Sequence, residues 1–173
     1  MGGAGMTREE LQCFDHLLAQ APAGPRIEFG VFHGDALRRM AAHGGETIGV
    51  DSFDGMPEPT ERDIKDGWNP YPRGRLKADP PKVPGARLVK GWVPDVLARL
   101  PSGPYAFAHV DMDQHDSTLA ALQWLRPRMV GGGILCCDDW FADRDWLAAG
   151  AINAVAQDWP LAGTAGRKAW WVA

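Results

Sequence analysis

Short apolar blocks with the period of a strand alternate along this chain with longer stretches of helical period, the pattern of an α/β domain built on a mostly parallel sheet. Thr7 and Glu10 form a capping box, and the helix they open is expected to run to about Gln20, where Ala21-Pro-Ala-Gly-Pro25 stops it. Residues 26–30 predict a first strand, followed by the turn Val31-Phe-His-Gly34 and a helix over 35–43 that ends at Gly44-Gly45. Thr47-Ile-Gly-Val50 reads as a second strand ending on Asp51, and Ala86-Arg-Leu-Val-Lys90 as a third. A short helix over 94–100, with proline in its first turn, leads to a fourth strand, Tyr105-Ala-Phe-Ala-His-Val110. Asp116 or Ser117 is expected to cap the next helix, which carries Leu119, Leu122 and Leu125 on one face and breaks at Pro127. Residues 131–137 form a fifth strand ending on Asp138-Asp139, and a helix follows over about 143–157. The tail from Trp159 is expected to close as an antiparallel hairpin, with Trp170 and Trp171 on opposite faces and one of them open to a subunit contact in a homodimer.

Between residues 56 and 85 both periods vanish. Seven prolines lie there, together with Trp68, Tyr71, Arg73, Arg75 and Lys77. Structureless segments of this length inside a domain are uncommon and often functional, so two readings stand, a lid over a ligand and a solvated loop.

Composition narrows the class. The 173 residues predict one domain, 1–173, and 45% hydrophobic content is enough for an ordinary core. A formal charge of −4 argues against a dedicated nucleic-acid binder. No apolar run approaches the roughly 20 residues of a membrane helix. The start of the chain lacks the charged and apolar regions of a secretion signal, and Met6 stands where a myristoylation signal needs Ser or Thr. A cytoplasmic protein is expected, and the three cysteines agree: Cys136 and Cys137 are adjacent in an apolar strand and read as core residues. The 21 glycines and 14 prolines forecast prominent loops.

The polar residues that end the strands carry the functional signal. In an open α/β sheet, ligands bind beyond the carboxyl ends of the strands. Here those ends hold Glu28 with the turn Gly30–Gly34, then Asp51, Lys90-Gly91-Trp92, Asp111 with Asp113, and Asp138-Asp139. The first turn, Gly30-Val-Phe-His-Gly34, lacks the central glycine of a dinucleotide fingerprint, and Asp35 puts negative charge at the helix start. A ribose-bearing ligand without a phosphate suits this edge better. Asp51 is placed to accept from ribose hydroxyls, though Asp-Ser-Phe-Asp-Gly is also a plain turn sequence.

Asp111, Asp138 and Asp139 form a second constellation at the tips of two neighbouring strands. Such carboxylates repel unless a cation or protons neutralise them, and hard oxygen ligands favour Mg²⁺ or Ca²⁺. A metal there lowers the pKa of a substrate hydroxyl, whose proton goes to a carboxylate or to His115. The plainer reading makes Asp138 and Asp139 caps of the following helix.

Taken in order, Glu28-Phe-Gly-Val-Phe-His-Gly34, Val50-Asp-Ser-Phe-Asp-Gly-Met-Pro57, Lys90-Gly-Trp-Val-Pro-Asp95, His109-Val-Asp-Met-Asp113 with Ser117-Thr118, and Gly132-Gly-Ile-Leu-Cys-Cys-Asp-Asp-Trp140 resemble the macrocin O-methyltransferase family. The resemblance covers roughly residues 26–158. It implies a Rossmann-like class I methyltransferase fold: a mostly parallel seven-stranded sheet with an antiparallel C-terminal hairpin and helices on both faces. It also implies S-adenosylmethionine as cofactor and Mg²⁺ as metal. Carried over, Glu28 and Gly30 face the methionine part, with Gly34 in the same turn. Asp51 and the adjoining Ser52 face the ribose, and Gly91 and Trp92 surround the adenine. Asp111, Asp138 and Asp139 match the Mg²⁺ carboxylates, with Asp111 also a candidate base. Position 115 is His where relatives carry Tyr, the segment between Asp51 and Lys90 is shortened and proline-rich, and little precedes residue 26.

The expected function is Mg²⁺-assisted methyl transfer from S-adenosylmethionine to a hydroxyl of a small molecule such as a natural-product sugar, with Asp111 or His115 taking the proton. Two other classes stay open: a metal-dependent nucleotide-sugar glycosyltransferase using Asp111-x-Asp113, and a non-catalytic cofactor-binding module. A haloacid-dehalogenase-type phosphatase is excluded, since it needs a lysine between its acidic motifs and none occurs from 91 to 167.

Overall fold

In the computed structural model, which describes residues 6–173, the chain runs α1 (Arg8–Gln20), β1 (Arg26–Phe29), α2 (Asp35–Ala42), β2 (Thr47–Asp51), β3 (Ala86–Lys90), β4 (Tyr105–Val110), α3 (His115–Leu125), β5 (Met129–Cys137), α4 (Leu147–Asp158), β6 (Gly163–Ala165) and β7 (Lys168–Val172). The readings of the first five residues lie outside the described residues. The seven strands form one sheet in the order β3-β2-β1-β4-β5-β7-β6. The first five pair in parallel and β7 runs antiparallel to both its neighbours, as the alternation of elements and the glycine-flanked tail anticipated.

The period of two explains how both faces are covered. In β4, Phe107 turns to the face packed by Phe14, Leu17 and Leu18 of α1, while Ala108 and Val110 turn to the face packed by Leu122 and Leu125 of α3 and Ile152 of α4. Cys136 and Cys137 split between the same two cores, both fully buried. Trp171 stacks on Trp159 in one core and Trp170 packs against the other, so this pair also divides as expected. Strands β1 and β4 are buried along their whole length, as central parallel strands are. Among the described residues, no helix is long and apolar enough to cross a membrane.

Three local expectations shift. Helix α3 starts at His115 with Gln114 as its cap residue, not at Asp116 or Ser117. Its first amide is capped from outside: Asp63 Oδ1 accepts the His115 N–H at 2.8 Å. Helix α4 starts at Leu147, four residues later than the pattern predicts, because Asn153 holds the preceding chain as a loop. The Asn153 amide donates to the Phe141 and Arg144 carbonyls at 2.9 and 2.8 Å and accepts from the Trp140 indole at 3.0 Å. The helix expected over 94–100 is a 3₁₀ segment, Asp95–Arg99.

The proline-rich segment has no long element but is tied down at many points. The Met56 N–H donates to the Arg75 carbonyl at 2.7 Å, and the Gly74 N–H donates to the Met56 carbonyl at 2.9 Å. Thr60 and Asp63 form a capping box around a single 3₁₀ turn, Glu61–Asp63. Gln114 donates to the Tyr71 carbonyl, Lys65 pairs with Asp145 at 3.2 Å, and Trp68 meets Trp146 edge to face. The segment stands over the carboxyl ends of the strands as a fixed wall.

Candidate active site

Parallel strands that reverse order between β1 and β4 leave a crevice at their carboxyl ends. It holds a cleft of about 940 Å³, within the size range of small-molecule sites. Glu28, Gly30, Gly34, Asp51, Ser52, Gly91, Trp92, Asp111, Asp138 and Asp139 all line it. Met56, Pro57, Tyr71 and Leu76 of the proline-rich segment supply one wall.

At the β1 end the backbone itself forms the surface. Gly30 has φ +87°, and a Cβ built there would stand 1.8 Å from the Asp111 carbonyl oxygen, so the two strand ends approach as closely as backbones can. Asp51 orders this turn. Its Oδ2 accepts the Val31 and Phe32 amides at 2.8 and 2.9 Å, and its Oδ1 accepts the Phe53 amide at 2.8 Å. Phe32 and Phe53 have φ of 47° and 55°, so the carboxylate stabilises two strained residues. Ser52 locks the next turn, donating to the Gly55 carbonyl at 3.0 Å.

At the β4 and β5 ends the surface is charged. Asp111, Asp113 and Asp139 each bring a carboxylate oxygen within 4.8 Å of the others. Asp113 and Asp139 both have φ of 60°, which turns them inward at a conformational cost. Burial, reinforced by Asp138 and its other acidic neighbours, pushes Asp111 well above the usual carboxylate range. Burial and the facing Asp139 push Asp113 up to about 7, against a hydrogen bond from the Tyr71 hydroxyl. Asp139 is raised by burial and by Asp138, while Arg167 pulls it back at 3.1 Å. Three carboxylates strained against one another are a donor set for a hard divalent cation.

Asp138 behaves differently from its neighbour. Lys168, fully buried on β7, pairs with Asp138 Oδ1, and His109 Nε2 stands 3.5 Å from the same oxygen. Burial alone would raise Asp138, but His109 and Lys168 hold it below the usual range. Of the carboxylates expected at the strand ends, Asp111 and Asp139 come together with Asp113, while Asp138 is paired with Lys168. His109 Nδ1 lies 2.9 Å from Glu28 Oε1. Burial pulls the His109 imidazolium down, but Asp138 and Glu28 outweigh it and push the group up to about 9.

His115 sits away from the acidic residues of the cleft. Its ring does not line the cleft. Nδ1 sits 2.8 Å from Asp116 Oδ1 and Nε2 sits 3.3 Å from the Arg62 guanidinium, which places the ring in the packing between α3 and the proline-rich wall. Sequence reasoning singled out Tyr71 only as part of the proline-rich segment, and it missed Arg167, His109 and Lys168 as parts of the site; the last two left a trace, a histidine and a lysine inside strands that are otherwise apolar.

Comparison with known proteins agrees with this geometry. A family model described as a methyltransferase domain matches residues 27–140. The chain is 30% identical to the 8-demethyl-8-(2,3-dimethoxy-alpha-L-rhamnosyl)-tetracenomycin-C 4'-O-methyltransferase of Streptomyces olivaceus, over 76% of this chain and 58% of that protein. The chain thus spans little more than half the length of that relative. Among solved structures, the calicheamicin methyltransferase CalS11 superposes with a TM-score of 0.75 at 25% identity, covering 94% of this chain and 77% of that one. The O-methyltransferase NovP shares the fold, with a TM-score of 0.70 at 20% identity over 94% of this chain and 78% of that one. Nothing in these matches favours the glycosyltransferase alternative. With its sheet order, its glycine-turned cofactor edge and a family match over most of its length, the chain belongs to the methyltransferase domain family and has the Rossmann-like fold of the class I enzymes.

Proposed function

We propose that the chain transfers a methyl group from S-adenosylmethionine to a hydroxyl of a natural-product sugar, assisted by Mg²⁺, as a cytoplasmic O-methyltransferase. The observation that carries this reading is the join between the two halves of the cleft, where Gly30 touches the backbone of Asp111. A cofactor seated on the β1 turn presents its reactive end to the carboxylates.

The residues at the β1 end fit S-adenosylmethionine, which carries an ammonium and a ribose diol and no phosphate. Glu28 keeps Oε2 buried and unpartnered at the cleft, an acceptor suited to the ammonium. Asp51 Oδ1 holds only the Phe53 amide and retains acceptor capacity for a ribose hydroxyl. Gly91 and Trp92 line the far side, where the adenine belongs.

The carboxylate end fits Mg²⁺ through Asp111, Asp113 and Asp139. When bound, the metal supplies positive charge that stabilises the acceptor oxygen as it loses its proton. One carboxylate oxygen, of Asp111 or of Asp113, would receive that single proton, and Tyr71 orients Asp113 through its hydroxyl. Met56, Pro57 and Leu76 exclude water from one side of the acceptor. The sugar acceptor rests on two observations about relatives: the Streptomyces olivaceus protein is named for a rhamnosyl substrate, and a CalS11 structure is described as a TDP-rhamnose 3'-O-methyltransferase.

Calorimetric titration with S-adenosylhomocysteine and with UDP-sugars, each with and without Mg²⁺, tests the reading. Binding of S-adenosylhomocysteine alone is expected. Failure to bind it overturns the cofactor, and binding of a UDP-sugar in its place revives the glycosyltransferase.

A further inference from the structure

Four charged side chains, three of them buried and Asp138 nearly so, run in a line across four adjacent strands at the base of the cleft. Glu28 on β1 and His109 on β4 face each other in register, Asp138 follows β5, and Lys168 opens β7. Glu28 Oε1 meets His109 Nδ1 at 2.9 Å, His109 Nε2 lies 3.5 Å from Asp138 Oδ1, and that oxygen is paired with Lys168. Phe14 of α1 seals the line, with its ring 4.9 Å from the His109 ring and 5.2 Å from the Lys168 ammonium. Removing these groups from water is expensive, and Phe14, Phe107 and Cys136 pack an apolar core on the same side. Such a row persists where it fixes something.

What it leaves unsatisfied points to the purpose. Among the described residues two buried atoms of the row make no hydrogen bond: His109 Nε2, which stands 3.5 Å from Asp138 as an ion pair only, and Glu28 Oε2, which lies at the cleft while His109 holds Oε1. Building on the cofactor proposed above, we infer that His109 is a positioning residue: its Nδ1–H holds one Glu28 oxygen so that the other is presented to the cofactor's ammonium. Lys168 anchors the line from the far edge, holding Asp138 so that His109 stays upright between two carboxylates. The chain therefore recognises the amino-acid end of its cofactor through a strut that spans β1 to β7, and Lys168 contributes to cofactor binding without touching it.

The test compares S-adenosylhomocysteine with its desamino analogue by calorimetry. The wild type is expected to prefer S-adenosylhomocysteine by about 10-fold or more, the range of a hydrogen bond between charged groups. Glu28→Gln and His109→Leu should each weaken S-adenosylhomocysteine by about 10- to 100-fold and leave the desamino analogue within about threefold. His109→Asn, which keeps an N–H where Nδ1 stands, should retain the preference. Lys168→Met should reduce it by about three- to tenfold, and this variant carries the test if His109→Leu does not fold. A His109→Leu protein that keeps the preference, or that loses both ligands equally, overturns the positioning role. An unchanged preference in Lys168→Met overturns the strut. If the wild type binds neither ligand, the cofactor assignment itself has failed.

Discussion

Around Gly30 and Asp51 the cleft is finished before any ligand arrives, whereas around Asp111, Asp113 and Asp139 it is not. In the first region one carboxylate accepts three backbone amides and holds two residues in left-handed conformations. In the second, three carboxylates crowd within 4.8 Å and burial drives their pKa values upward. Hydrogen bonds shape the first and repulsion the second. A preformed surface binds with little reorganisation, so the β1 turn suits a cofactor held in one pose. A repulsive cluster stores a demand for positive charge, so the β4–β5 tips suit a cation and a developing oxyanion.

The contrast is sharpest in its largest expected effect. Asp139→Asn should lower methyl transfer by about 10²–10⁴-fold while S-adenosylhomocysteine binding stays within about tenfold, because the two halves do different work. Equal losses in both would join the halves into one. Gly30→Ala breaks the other side: its Cβ would collide with the Asp111 carbonyl from a φ of +87°, so a stability loss of about 3 kcal/mol with loss of S-adenosylhomocysteine binding is expected on denaturant titration.

A smaller effect follows from the pKa shifts. Asp113 is raised from 3.8 to about 7, so its contribution to stability is full below pH 3.8 and is lost as pH rises through 7. Asp111 and Asp139 are raised as well and act in the same direction. His109, raised from 6.5 to about 9, extends the decline: its contribution is full below pH 6.5 and gone above 9. Glu10 runs the opposite way. Burial would raise it, but Thr7 and Arg167 hold it at about 2, so its contribution is complete above pH 4.5 and lost as pH falls through 2. Thermal melts in chelator should therefore fall by several degrees from pH 4.5 to 9, and Mg²⁺ should recover part of that loss above pH 7. A flat profile would contradict the stored repulsion. The smallest effect is expected at His115: a His115→Gln protein should keep kcat within about threefold and lose about 1 kcal/mol, since the ring only packs. A large fall in kcat would return it to the chemistry.

What the sequence made legible follows the range of the forces involved. Strands β3 and β4 were readable to the residue because a period of two and a flanking turn are local signals. That Glu28, Gly30, Asp51 and the acidic tips share one cleft was readable because strand order brings every strand end to one edge, whatever the details. The choice among carboxylates was not. Asp138 and Asp139 are neighbours in sequence and identical in chemistry, and partners from other strands, His109 and a lysine 30 residues away on β7, set Asp138 apart. The start of α3 was hidden for the same reason, since its cap is Asp63 from a segment with no periodicity. His115 looked catalytic by position, yet the proline-rich wall and Asp116 claim its ring.

The most direct test of the two-part cleft is a crystal structure with S-adenosylhomocysteine and Mn²⁺, read by anomalous scattering at the manganese edge. The expected result places the homocysteine amino group at Glu28 and one manganese among Asp111, Asp113 and Asp139, with Asp138 still on Lys168. Manganese bound through Asp138 with Lys168 displaced, or a cofactor seated away from Gly30, would contradict it.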